Sequence, residues 1–136
     1  MDQNILYVGV ELDSESQRIL KEKFGKRDGW KLCCHHMTVM FNTGPECELT
    51  GTEKVWFERN SGATIFLIVS HYGENEKVAA VRVMTNAPTR NKLKHITLGI
   101  NLKTGGKLKD ADYIKTWELT EPIILTGHTK IWYKTK

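Results

Sequence analysis

Apolar and polar residues alternate from Ile5 to Asp13, with Leu6, Val8, Val10 and Leu12 on one side and Tyr7, Gly9 and Glu11 on the other. A period of two marks a strand with one buried face. Ser14-Glu15-Ser16-Gln17 then has the spacing of a capping box, and Ile19, Leu20 and Phe24 give a core-facing side to a helix predicted from about Glu15 to Phe24, with Gly25 as its stop. Asp28-Gly29 turns the chain into a second alternating stretch, Cys33 to Phe41. Asn42 to Thr52 is rich in Gly, Pro, Thr and Glu and reads as a connecting loop. Trp56 and Phe57 open a possible strand before the turn signal Asn60-Ser61-Gly62. Thr64 to His71 is a nearly unbroken, β-branched apolar run, which predicts a central strand covered on both faces. Gly73-Glu74-Asn75 turns into Lys77 to Thr85, whose VAAVRVM run reads as a further antiparallel strand with a helix as the alternative, and alternation returns over Lys94 to Ile100. Thr104-Gly105-Gly106-Lys107 reads as a flexible turn. Lys109 to Leu119 reads as a short helix with Tyr113, Ile114 and Trp117 inward, and Ile123 to Leu125 and Lys130 to Tyr133 as strands joined around Gly127.

Two of the alternating stretches carry the same short pattern: His36-Met37-Thr38-Val39 and His95-Ile96-Thr97-Leu98 both run His, apolar, Thr, apolar. On a strand His36 and Thr38 share one face while Met37, Val39 and Phe41 share the other. His95 and Thr97 oppose Ile96, Leu98 and Ile100 in the same way. In a chain with five histidines and 40% apolar residues, two such matches arise by accident roughly once in several hundred sequences. An imidazole beside a hydroxyl, presented twice, predicts a bilobed α+β fold of mainly antiparallel sheets related by a pseudo-two-fold axis. A few helices flank it, and an active groove runs between the lobes. Tyr7 and Gly9 lie on the side of their strand that can face this groove, Tyr7 to stack on a base and Gly9 to admit a ligand close to the backbone. By the same alternation Cys34 shares the face of His36 and lines the site without reacting, whereas His35 shares the face of Met37 and reads as structural. His71 has no Thr two positions on and reads as structural too. His128-Thr129 lacks the intervening apolar residue and is not a third copy.

Composition narrows the class. The 136 residues match one domain, and 26% charged residues describe a globular chain with an ordinary core. No apolar run approaches the roughly 20 residues that cross a bilayer, so no membrane association is expected. Met1-Asp2-Gln3-Asn4 lacks the features of a signal peptide. Three cysteines cannot all pair, and the neighbours Cys33 and Cys34 are poor partners, so a reducing, cytoplasmic setting is expected. A net charge of +4 suits a polyanionic ligand. Arg90 and Lys92, just before the second motif, are candidate guides for a nucleic-acid backbone, while Lys94 faces away from His95 if the strand includes it. Cys33, Cys34, His35 and His36 are residue types that zinc favours. Four adjacent strand residues point to opposite faces, however, and cannot converge on one ion.

The paired motifs, the leading strand Leu6-Tyr7-Val8-Gly9-Val10 and the context Lys92-Leu93-Lys94-His95-Ile96-Thr97-Leu98-Gly99-Ile100 resemble the two-histidine phosphoesterase superfamily. The likeness is greatest to the cyclic phosphodiesterase domains of RNA-repair ligases, and specific matching covers about a fifth of the chain. The chain is short for that family and sparse in helices. The resemblance implies a phosphodiesterase that cleaves RNA-type linkages: 2′,3′-cyclic phosphate ends, or 2′–5′-linked or cyclic oligonucleotide signals.

Elementary chemistry leads to the same expectation. In-line cleavage of a phosphodiester needs a base for the attacking oxygen and an acid for the departing one. An imidazole with an ordinary pKa near 6.5 can serve as either. His36 and His95 are the expected acid–base pair, with Thr38 and Thr97 donating hydroxyl hydrogens to the non-bridging oxygens. Neither metal nor cofactor is needed for this scheme, and no carboxylate cluster that would hold magnesium is visible in the sequence. The rival expectation is a non-catalytic RNA- or nucleotide-binding module on the same fold. A zinc-stabilised structural protein is a third.

Overall fold

The alternating stretches become strands of one antiparallel sheet, in a computed structural model that describes residues 5–24, 29–41, 51–89 and 93–133. Among these residues the strands are β1 (Ile5–Leu12), β2 (Trp30–Leu32), β3 (His36–Phe41), β4 (Ile65–Glu74), β5 (Val78–Met84), β6 (His95–Asn101) and β7 (Trp117–Tyr133). Two α-helices, α1 (Ser14–Phe24) and α2 (Gly51–Asn60), complete the α+β fold. Strand order is β2-β6-β5-β4-β7-β1-β3. β2 and β3 stand at opposite ends of that order although only residues 33–35 separate them in the chain, so the sheet curls until its ends meet.

The order has an internal symmetry. Outward from the seam between β7 and β4 lie β1 then β3 on one side, and β5 then β6 on the other. Each motif strand is thus the second neighbour of the seam, and the seam itself pairs Leu67 with Leu125 and Ile68 with Ile124.

One face of the sheet is apolar because every second residue of its strands is. Val10, Met37, Leu67, Val81, Ile96 and Leu125 are fully or almost fully buried there. Leu20 of α1 joins them, a burial that contributes about 1.5–3 kcal/mol. Ile19, Phe24, Trp56 and Phe57 pack around this core, and Phe24 stacks on Tyr72 of β4 at 5.3 Å between ring centroids. A smaller cluster of Val78, Ala80, Ile100, Ala111 and Ile114, flanked by Trp117, covers part of the other face.

Several sequence expectations are corrected. The cap of α1 is Asp13, which accepts from the Ser16 amide at 2.8 Å, rather than Ser14. The Thr126 hydroxyl also donates to Asp13, and these bonds hold its carboxyl below the usual range. Trp56 and Phe57 lie in α2, not in a strand. Their rings meet edge to plane at 5.0 Å while facing the core from a helical turn. The helix expected over Lys109 to Leu119 is a 3-10 turn at Leu108–Tyr113; Ile114 is buried as expected, but Tyr113 is 68% exposed. Trp117 to Tyr133 is one strand. Gly127 is needed there for the close approach of the Glu11 backbone rather than for a turn. β4 is central, but Phe66 is 59% exposed, so only one of its faces is fully covered.

Candidate functional site

The site begins where one strand changes partner. β2 pairs with β6 in the register Trp30 to Asn101, Lys31 to Ile100 and Leu32 to Gly99. The amides of Cys33 and Cys34 carry the same register onward to the carbonyls of Leu98 and Thr97, at 2.8 and 2.9 Å. Cys34 then adopts φ 65°, a left-handed conformation uncommon outside glycine. From there the chain leaves β6, and the His35 carbonyl accepts instead from Leu12 of β1 at 2.9 Å. The two motif strands therefore part at the Cys34–Thr97 contact, with His36 and His95 each two residues beyond it.

Each motif strand is then built alike against its neighbour. His36 pairs with Glu11 and Thr38 with Gly9, and the β1–β3 register slips by one residue immediately beyond. His95 pairs with Arg82 and Thr97 with Ala80, and the β5–β6 register slips at the same step. The extra residues are Val39 and Leu98, the apolar positions that follow each Thr, and such a bulge re-aims the side chains around it. Opposite each Thr stands a residue with little or no side chain. Gly9 must be glycine, because a Cβ there would collide with the Met37 carbonyl oxygen. The bulge at Leu98 also moves Ile100 from the face of Ile96 into the smaller apolar cluster.

His36, Thr38, His95 and Thr97 thus share the sheet face opposite the main core. His95 and Thr97 are each 9% exposed, while His36 and Thr38 are half-buried. His95 Nδ1 donates to the Leu93 carbonyl at 3.0 Å. Since a carbonyl only accepts, the neutral ring keeps its lone pair on Nε2. His36 Nε2 lies 3.1 Å from the Thr38 hydroxyl, and its Nδ1 is hydrogen-bonded to Nδ1 of His35. When His36 Nδ1 carries the hydrogen and His35 accepts it, Nε2 is again the lone-pair nitrogen and accepts from Thr38. Burial, with smaller contributions from the charges of His35 and His95, pushes the His36 imidazole down to about 4. His36 is therefore neutral around pH 7, and it senses the charge on His95.

That shift carries a stability consequence. With a folded pKa of about 4 against 6.5 unfolded, the unfolded chain binds a proton between these values that the folded chain refuses. Stability from this group is complete above about pH 6.5 and is lost as pH falls toward 4, by about 3 kcal/mol in all. Urea unfolding of the wild type and of His36→Gln from about pH 7 down to about pH 4 checks it: the difference between the two proteins narrows or reverses toward acid, and two parallel curves would contradict it.

The neighbouring residues differ from expectation. Cys34 does not share the face of His36, because its left-handed backbone turns it into the main core, where its thiol donates to the Leu98 carbonyl at 3.4 Å. Burial raises the Cys34 thiol to about 12 and raises Cys33 as well, which keeps both protonated near neutrality. His35 is exposed and stacks on His36 at 4.4 Å instead of packing beside Met37. Tyr7 lies on β1 opposite Phe41 and Trp132, but its side chain is outside the described residues, as are Arg90 and Lys92 altogether. Lys94 donates to the Thr85 carbonyl at 2.7 Å, away from the site. Among the described residues no three His, Cys, Asp or Glu side chains group as a metal site would require, and no helix is long and apolar enough to cross a membrane.

Sequence reasoning missed Glu11, Arg82, Lys130 and Trp117. Glu11 is the next residue after Tyr7 and Gly9 on the polar side of β1, and the alternation that singled out those two also contained it. It pairs with Lys130 at 3.0 Å. Arg82 is the one charge inside the apolar stretch Val78–Met84, and that isolation was its signal. The chain matches no known protein-family model and no curated protein sequence.

Proposed function

We propose that the protein is a phosphodiesterase of the two-histidine type, acting without metal on RNA-type linkages. The observation that carries this reading is the matched construction of the two motif strands: His and Thr on one face, a bulge directly after each Thr, and Gly9 or Ala80 leaving room opposite. An in-line displacement at phosphorus requires two proton-transfer groups and stabilisation between them, and this arrangement offers both.

In the reaction on a 2′,3′-cyclic phosphate, His36 is the base, since burial holds it neutral at the working pH. Its Nε2 takes a proton from water as the water oxygen bonds to phosphorus. The bond from phosphorus to one ribose oxygen breaks, and His95, which enters the step as the imidazolium with Nδ1–H held by the Leu93 carbonyl, delivers its Nε2 proton to that oxygen and is left as the neutral ring. On substrate binding the Thr38 hydroxyl turns from His36 Nε2 to the phosphate, which frees that lone pair for the water proton, and with the Thr97 hydroxyl it donates to the non-bridging oxygens as their charge grows. Exchange with solvent then returns each imidazole to its starting state. A 2′–5′-linked or cyclic oligonucleotide presents the same group to the same pair.

The test is turnover in the presence of a chelator, with a ribonucleoside 2′,3′-cyclic phosphate and a 2′–5′-linked oligonucleotide as substrates and mass analysis of the products. Hydrolysis to a monoester or to shorter oligonucleotides is expected. Binding of both without turnover would replace the enzyme with a nucleotide-binding module on the same fold.

A further inference from the structure

The two halves of the site differ in charge. Opposite His36 stands Glu11, neutralised by Lys130 at 3.0 Å. Opposite His95, at the equivalent place, stands Arg82, for which no carboxylate partner is found among the described residues. Arg82 is half-buried, a setting in which a guanidinium ordinarily has a counter-charge.

Its position is also fixed. The guanidinium lies over the ring of Trp117 at 5.9 Å from the centroid. Trp117 pairs with Gly73 across the β4–β7 ladder, and its ring rests where a side chain on that glycine would stand, 2.6 Å from the position of a Cβ. On the far side of Arg82 its register partner is His71. His95, Arg82 and His71 consequently form a row across β6, β5 and β4 on one face, with roughly 5 Å from strand to strand.

We propose that Arg82, flanked by His71, is an anion subsite that takes the phosphate next to the scissile one, so that the preferred substrate is an oligonucleotide and not a mononucleotide. The subsite rests on the functional reading above. An arginine presents a planar fork of donors matched to two phosphate oxygens, and a ring beneath it keeps that fork from rotating. Successive phosphates of a strand repeat at intervals of several ångströms, so a chain held at His95 brings its next phosphate over Arg82. The Glu11 side, already neutralised, offers no such attraction.

The experiment compares a dinucleotide ending in a 2′,3′-cyclic phosphate with the same molecule carrying a charge-neutral methylphosphonate in its internal linkage. Wild-type protein is expected to favour the anionic substrate by about tenfold to a hundredfold in kcat/KM. Arg82→Gln is expected to remove most of that preference through KM, and Arg82→Lys, which keeps the charge and loses the fork, to fall between. An unchanged preference in either variant overturns the proposal. If the wild type cleaves neither molecule, the catalytic reading fails by itself. Binding of the two dinucleotides by wild type, Arg82→Gln and Arg82→Lys then decides the subsite, which stands if the anionic one binds about tenfold tighter only when Arg82 is present and falls otherwise.

Discussion

If the proposed phosphodiesterase reading holds, His36→Ala and His95→Ala are each expected to lower kcat on a ribonucleoside 2′,3′-cyclic phosphate by about 10²- to 10⁴-fold, with the double variant little below the worse single one. Both losses are expected in kcat, because the proposed proton transfers are made in the transition state and not on binding. The non-additivity follows from the division of labour: with either proton transfer missing, the other group has no concerted step to assist. Neither substitution opens the main core, since both rings lie on the opposite face; among the described residues the hydrogen bond that His95 gives up is the one to the Leu93 carbonyl, together with the packing of a ring that is 9% exposed. Thr38→Val and Thr97→Val keep the shape and remove the donor, at a cost of about 10²- to 10³-fold if each hydroxyl meets a non-bridging oxygen. Steady-state kinetics beside urea melts of each variant provide the check. Full turnover in either alanine variant would take the imidazoles out of the mechanism.

Gly9→Ala is expected to destabilise the fold by upward of about 2 kcal/mol and to depress activity beyond what that loss explains. The added methyl would meet the Met37 carbonyl oxygen, a backbone atom that cannot rotate away as a side chain can. Relief requires β3 to move off β1, and β3 carries His36 and Thr38. The equivalent place in the other half already holds Ala80, fully buried, so there β6 has room for a methyl beside its neighbour. Ala80→Gly should cost only about 1 kcal/mol, mainly in backbone entropy. Equilibrium unfolding and kcat for the two variants test the contrast, and a Gly9→Ala protein within about 0.5 kcal/mol of wild type would show that the contact yields.

The strands and the two motifs were legible because both are local properties of the chain. Alternation alone predicts the inward faces of β1 from Val8 to Leu12 and of the residues from His36 to Val39, and the repetition of His-x-Thr sets two strands apart from the others. What alternation could not contain were its own interruptions. The left-handed Cys34 reverses the facing of the cysteines, and the bulge at Leu98 reverses that of Ile100. Both arise from where a strand finds its partners, which is a property of the whole sheet. Trp56 and Phe57 were misread because two adjacent aromatics favour a strand by propensity, while the helix around them is held by tertiary packing against the core. Arg82 and Glu11 gained their meaning only from the cross-strand register, which sets them beside the two histidines.

The 17 residues of β7 pair with β4 along Trp117 to Gly127 and with β1 along Gly127 to Tyr133. A single unbroken strand is hydrogen-bonded to both halves of the molecule, and no linker stands between them at that seam. The strands that carry His36 and His95 are accordingly tied through their neighbours to one common strand, like two jaws on one bar, and a hinge between the halves is not expected at that seam. Hydrogen exchange should find the slowest amides along this beam, and ligand entry should leave them unchanged.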